Sequence, residues 1–343
     1  MIRRLIANAG PIKNIIIRVR MLIPYELFEI MDGIISRTFL NRLRCYPYHD
    51  ADGKGPSVFI LGPGRSGNTV FKRELSRTYD IYFPPELPNL GPTIRAFARS
   101  RRRSWNEVVA TTLAAFRRGA DVTVKVAGQQ DYNLERELAV DWGALEEELL
   151  GASVGNRNLA YIISSIVSKS YLSVTEEGSL VAWGEKTPWN IFHLPALRKA
   201  FPSATFVFMV RDPVPVVSSY LTAFEESSGI RLKDAIFRWN CAVGVALNNI
   251  ALMDRAIIVR YEDFVADPVD HVRRVGELAN LKYSADSERA SSVISDMKLL
   301  HHANLSKPVS KSVSSTQLEK ITEFDVKIIR DQTCTRARKL GYG

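Results

Sequence analysis

Residues 57–75 read SVFILGPGRSGNTVFKREL, and their reading decides the fold. SVFIL is a short apolar run between Gly55-Pro56 and Gly62, which predicts a buried strand over 57–61. Gly62, Gly64 and Gly67 follow, and residues 68–78 predict a helix. A strand, a glycine-rich turn and a helix bring backbone N–H groups and a positive helix end onto an anion. The nucleotide-hydrolase form of this loop, G-x-x-x-x-G-K-[ST], needs a lysine after its last glycine. Here Asn68 and Thr69 follow Gly67, and Arg65 inside the loop is the cation on offer. Ser66, Asn68 and Thr69 add side-chain donors.

Downstream, short apolar runs alternate with helical patterns. Strands are expected at 80–83, 122–126, 180–183 and 204–210, and at the start of AIIVRYEDF. Helices are expected across SWNEVVATTLAAFRRG, with Ser104 as N-cap, Glu107 completing a capping box and Gly119 as the stop. Further helices are expected across most of 133–173 and over 189–200, 232–253, VDHVRRVGELANL and the last stretch to Leu340. This α/β alternation predicts a mainly parallel central sheet with helices on both faces. Ligands of such sheets lie beyond the carboxyl ends of the strands. Arg65, Glu86, Lys186 and Arg211 each follow a predicted strand.

The chain of 343 residues suits one large domain with an appendage. We divide it into a basic N-terminal helical extension, 1–55, and a main domain, 56–343, with a helical acceptor-side insertion at about 86–175. Cys45, Cys241 and Cys334 are odd in number and far apart, which fits a reducing, cytoplasmic setting and gives no metal spacing. The N-terminus is basic, but charges and Pro11 and Pro24 interrupt its apolar runs. It is expected to pack on the domain, with peripheral membrane contact as the second reading. Residues 95–118 hold seven arginines against one acid, Glu107, so an acidic or sugar-rich partner is expected. No recognition helix or basic-aromatic signature points to nucleic acid. Oligomeric state is not readable.

The second signal is VFMVRDPVPVVSSYL. Arg211 ends a strand, and Ser219 lies about two helical turns on. A guanidinium and a hydroxyl so placed can pinch one phosphate. Asp212 reads as the N-cap of that helix, with Pro213 at its first position, so it is not a metal carboxylate.

Together GPGRSGNT and VRDPVPVVSSY resemble the two cofactor signatures of PAPS-dependent sulfotransferases of the bacterial and Golgi type. GEKTPWNI, IVRYEDFVADPVDHVRRV and RARKLGYG resemble three further family segments in the expected order. Asn68 departs from the family's usual Thr or Ser. The resemblance implies a P-loop-like sulfotransferase fold and transfer of a sulfuryl group from PAPS to an acceptor hydroxyl or amine. The product is adenosine 3′,5′-bisphosphate, and no metal is required. It assigns Gly62, Gly64, Arg65, Ser66, Gly67, Asn68 and Thr69 to the 5′-phosphosulfate, and Arg211 and Ser219 to the 3′-phosphate. Lys186 is assigned to charge stabilisation or substrate binding. Glu86 is the expected base, with His193 as its rival. Lys307 and Lys311, in a Ser/Lys-rich loop, are expected to reach the cofactor, a reading balanced against a mobile polar loop. The expected acceptor is a small molecule or glycan, with a glycan or glycolipid first. A kinase with an altered phosphate loop and a non-catalytic anion-binding protein remain the alternatives.

Overall fold

The computed structural model describes residues 55–121, 123–124, 132–175, 180–224, 231–284 and 321–342. The expected extension at 1–55, except for Gly55, lies outside the described residues, as do Lys307 and Lys311.

Four strands form an all-parallel sheet in the order β4-β1-β5-β6. They are β1 (Val58–Leu61), β4 (Gly184–Glu185), β5 (Thr205–Val210) and β6 (Ala256–Arg260). A separate antiparallel pair joins β2 (Thr123–Val124) to β3 (Tyr132–Asn133). All of β1 and β5 is buried, as unbroken apolar runs in a doubly covered sheet should be. On one face the helices Asn68–Thr78 and Pro268–Ala279 contribute Phe71, Leu75, Val272 and Val275 to the core. On the other, Pro213–Phe224, Leu232–Asn249 and Glu323–Lys339 contribute Val217, Trp239, Val243 and Ile329. Each fully buried side chain of this kind stabilises the fold by roughly 1.5–3 kcal/mol.

The expected α/β class therefore holds, and several boundaries move. Residues 80–83 form no strand; Tyr82 makes one parallel bridge to Trp183 at the sheet edge. Pro84 and Pro85 follow at once and have no N–H with which to extend a ladder. The strand expected at 180–183 lies at Gly184–Glu185, because β1 sets the register through Val58–Gly184 and Phe59–Glu185. The strand expected at 122–126 is described only as the two residues of β2. The helix with the Ser104–Glu107 capping box runs through Gly119 to Ala120. Gly119 instead makes room for a crossing, since a Cβ there would sit 2.4 Å from Asn89 Cβ. The expected helix at 189–200 opens as a 3₁₀ turn, Pro188–His193, before Leu194–Ala200.

Candidate active site

The loop after β1 is shaped by what its backbone must pass. Gly62 has φ 139°, and a Cβ there would lie 2.1 Å from the Met209 carbonyl oxygen of β5. Gly67 has φ 89° and lies against the Tyr261 ring, 2.4 Å from where a Cβ would stand. Both need glycine for conformation as well as space. Arg65 between them also has positive φ, 64°, an uncommon state for a side-chain-bearing residue. Asn68 Nδ2 donates to Pro63 O at 2.9 Å, so this amide ties the loop to itself. The buried Ser66 hydroxyl has no hydrogen-bond partner among the described residues. A buried orphan hydroxyl calls for a ligand or another explanation.

The second signature meets the first. Arg65 Nε donates to Ser219 Oγ at 2.9 Å, and Arg211 Nη1 reaches Arg65 O at 3.4 Å. Arg211 lies over the Tyr261 ring, 4.5 Å from its centre. Burial lowers the pKa of Arg65; Tyr220 opposes this, and the Arg211 charge adds to it. Burial also lowers that of Arg211, against Tyr261, Glu262 and Asp212. Both remain cations at neutral pH. Two guanidiniums that disfavour each other are thus held together in a sparsely hydrated place, and an anion between them relieves both.

The C-terminus braces this side. Asp212 Oδ1 accepts from Val214 N at 2.8 Å, capping the helix as expected, and Oδ2 accepts from Arg330 at 2.8 Å. Glu262 accepts from Asp212 N at 3.1 Å and from the Tyr342 hydroxyl at 2.7 Å. Trp239 is wholly buried and donates to Arg211 O at 3.0 Å, so its place is the core.

Across the loop, Lys186 Nζ donates to Thr69 Oγ1 at 3.2 Å and forms an ion pair with Glu86. The lysine side chain is 2% exposed and the glutamate 36%. One cation therefore bridges the phosphate-loop helix and the expected base. His193 packs on Gly91, with Nδ1 3.3 Å from Arg95 Nη1.

Beside the loop a cleft is lined by Gly62, Gly64, Trp189, Phe192, Tyr220 and Arg238. The Arg238 guanidinium stacks on Trp189 at 4.5 Å. Burial raises the Tyr220 pKa to about 12, while the charges of Arg238 and Arg65 pull it down and that of Glu86 pushes it up. Sequence reading missed Trp189, Tyr220 and Arg238; the exposed tryptophan just after GEKTP was the available signal. Within the arginine run, Arg95 reaches His193, Arg101 is buried and its charge adds to burial in lowering the Lys199 pKa, and Arg117 pairs with Glu135.

A sequence model described as the Sulfotransferase family matches residues 56–285. The chain is 24% identical over 147 residues to protein-tyrosine sulfotransferase A of Caenorhabditis elegans, covering 41% of this chain and 35% of that protein. It is 22% identical over 287 residues to protein-tyrosine sulfotransferase 1 of Danio rerio, covering 82% and 65%. The chain thus spans between about a third and two thirds of the length of these relatives. The sulfotransferase domain of the Synechococcus PCC 7002 olefin synthase shares the fold, with a TM-score of 0.52, 16% identity, and coverage of 88% of this chain and 99% of that one.

Proposed function

The chain belongs to the sulfotransferase family, and from that premise we propose that it moves a sulfuryl group from PAPS to an acceptor hydroxyl or amine. The observation that carries the reading is the joining of Arg65, Ser219 and Arg211, with the orphan hydroxyl of Ser66 next in sequence to Arg65. A buried cation, a half-buried one, a free hydroxyl donor and a glycine-rich helix start suit a ligand with more than one phosphate-like group. Gly62, Gly64, Arg65, Ser66, Gly67 and Thr69 would hold its 5′ end, and Arg211 and Ser219 its 3′-phosphate.

When bound, PAPS supplies a sulfuryl group on a phosphate leaving group. The chain's own residues supply the rest. Glu86, partly exposed, takes the acceptor proton. Lys186 stands between Glu86 and Thr69, where it offsets negative charge on the acceptor oxygen and the departing group. Arg65 steadies the leaving phosphate. A glycan or glycolipid is the first acceptor class to test, with the exposed Trp189 ring and the Arg238 guanidinium stacked on it, which line the narrow crevice beside Gly62 and Gly64, as groups a sugar ring could meet.

Calorimetry with adenosine 3′,5′-bisphosphate tests the cofactor half. The wild type should bind it without metal and more tightly than adenosine 5′-monophosphate. Arg211→Ala should lose at least tenfold, about 1.4 kcal/mol. Equal affinity for the two nucleotides, or a need for ATP and Mg²⁺, would overturn the reading. Binding without turnover of PAPS would favour a non-catalytic binder instead.

A further inference from the structure

Leu87 directly follows Glu86, and one short segment holds both of its peptide groups. The Leu87 N–H donates to Thr187 Oγ1 at 2.7 Å. Its carbonyl accepts from Asn190 Nδ2 at 3.1 Å, and also from Leu90 N at 3.1 Å. Leu87, Thr187 and Asn190 are all wholly buried. Pro84, Pro85 and Pro88 have no N–H, so within 84–88 only Glu86 and Leu87 can donate from the backbone. The Leu87 peptide is thus a principal anchor for the stretch that carries the expected base.

The two anchoring side chains have hydrogens to spare. Thr187 Oγ accepts from Leu87 and can still donate its own hydrogen; the Asn190 amide has a second N–H. Close to both lies the Glu185 carboxyl, 1% exposed and next in sequence to Lys186. Neither of its oxygens makes a hydrogen bond of full geometry. Yet Thr187, Asn190 and the Leu87 N–H lie close enough to pull its pKa down against burial; burial wins, the Glu86 charge adds to it, and the value is about 7. A buried carboxyl in that condition is costly, and groups of this kind persist where function needs them.

We propose that Glu185, Thr187 and Asn190 form a clamp that fixes the Leu87 peptide and so aims the Glu86 carboxylate at Lys186 and the acceptor. All three are positioning residues, acting through Glu86. The aim of the clamp rests on the sulfuryl-transfer reading; its bonds to Leu87 do not. Thr187 and Asn190 hold the loop through their bonds to Leu87, and the Glu185 carboxyl lies close to both side chains.

Two readouts test this. One is exchange of the Leu87 amide hydrogen. The other is turnover of PAPS, with water standing in for the acceptor, measured beside affinity for adenosine 3′,5′-bisphosphate. Thr187→Val and Glu185→Ala should speed Leu87 exchange at least tenfold while β1 and β5 amides stay protected. They should cut turnover at least tenfold with nucleotide affinity within twofold. Thr187→Ser and Glu185→Gln keep a hydroxyl or an acceptor oxygen, and should stay within about fivefold of wild type in both. Leu87 protection unchanged in Thr187→Val and Glu185→Ala would overturn the clamp, as would equal losses of protection in β1 and β5. A wild type that binds the nucleotide but never turns over PAPS would defeat the transfer reading; Leu87 exchange would still decide the clamp.

Discussion

Arg65 Nε donates to Ser219 Oγ across 154 positions of sequence, at 2.9 Å. This one bond joins the turn after β1 to the helix after β5, strands that lie side by side in the sheet. It also places a hydroxyl where it can either steady the guanidinium or turn to a ligand. A cycle of Arg65→Ala, Ser219→Ala and the double variant should therefore show coupling of about 1 kcal/mol in affinity for adenosine 3′,5′-bisphosphate. Strict additivity, measured by calorimetry, would mean that the two groups act on the ligand independently.

The Lys186–Glu86 pair leads to a second expectation. Removing the carboxylate charge in Glu86→Gln leaves the Lys186 bond to Thr69 in place. Nucleotide affinity should stay within about threefold, whereas PAPS turnover should fall by roughly 10²–10⁴, the usual worth of a general base. His193→Ala should leave turnover near wild type, because the cation paired with Glu86 is Lys186 while His193 packs on Gly91. A reversal of these two results would move the base to His193.

Glu185 sets a pH dependence of stability. Its pKa is raised from 4.5 to about 7 in the folded chain, chiefly by burial. Below pH 4.5 the carboxyl is neutral in both states and burial carries little charge penalty. Between about 4.5 and 7 the folded chain keeps a proton that the unfolded chain has released, so stability falls as pH rises. Above 7 the loss is complete, at about 3 kcal/mol. Glu185→Gln lacks this titration. Denaturant unfolding should show its advantage over wild type growing by about 2 kcal/mol between pH 5 and pH 8. A constant difference would show that Glu185 is not held protonated.

Much of this was legible in the sequence because it lies in local pattern. The unbroken apolar runs of β1 and β5, the Ser104–Glu107 box and the Asp212-Pro213 helix start each carry their own signal. The family segments also pointed to strand ends, where Arg65, Lys186 and Arg211 stand. What was not legible depends on partners distant in sequence. The strand at 184–185 is placed by β1, and Gly119 is explained by Asn89 on another helix. The arginines of 95–118 lie close together in sequence, yet their partners do not. In the fold they part, Arg95 to His193, Arg101 to the neighbourhood of Lys199 and Arg117 to Glu135. Thr187 and Asn190 sat in a recognised segment, yet their bonds to Leu87 span 100 and 103 positions.

The last expectation concerns the chain's end. Tyr342 donates to Glu262 Oε2 at 2.7 Å, and the other oxygen of Glu262 accepts from Asp212 N, the residue after Arg211. Arg260 stacks on the same tyrosine ring at 4.5 Å. Tyr342→Phe keeps the ring and its stacking but removes one donor to a carboxylate, which should cost about 1.5 kcal/mol of stability. Because Glu262 still accepts from Asp212 N, the Arg211 turn should keep its place, and affinity for adenosine 3′,5′-bisphosphate should fall by no more than about threefold. Tyr342→Ala also strips the stack from Arg260 and the buried ring from the core, and both stability and affinity should fall further. Thermal unfolding and calorimetry on the two variants separate the hydroxyl from the ring. If Tyr342→Phe alone abolished nucleotide binding, the hydroxyl would be acting at the ligand and not through Glu262.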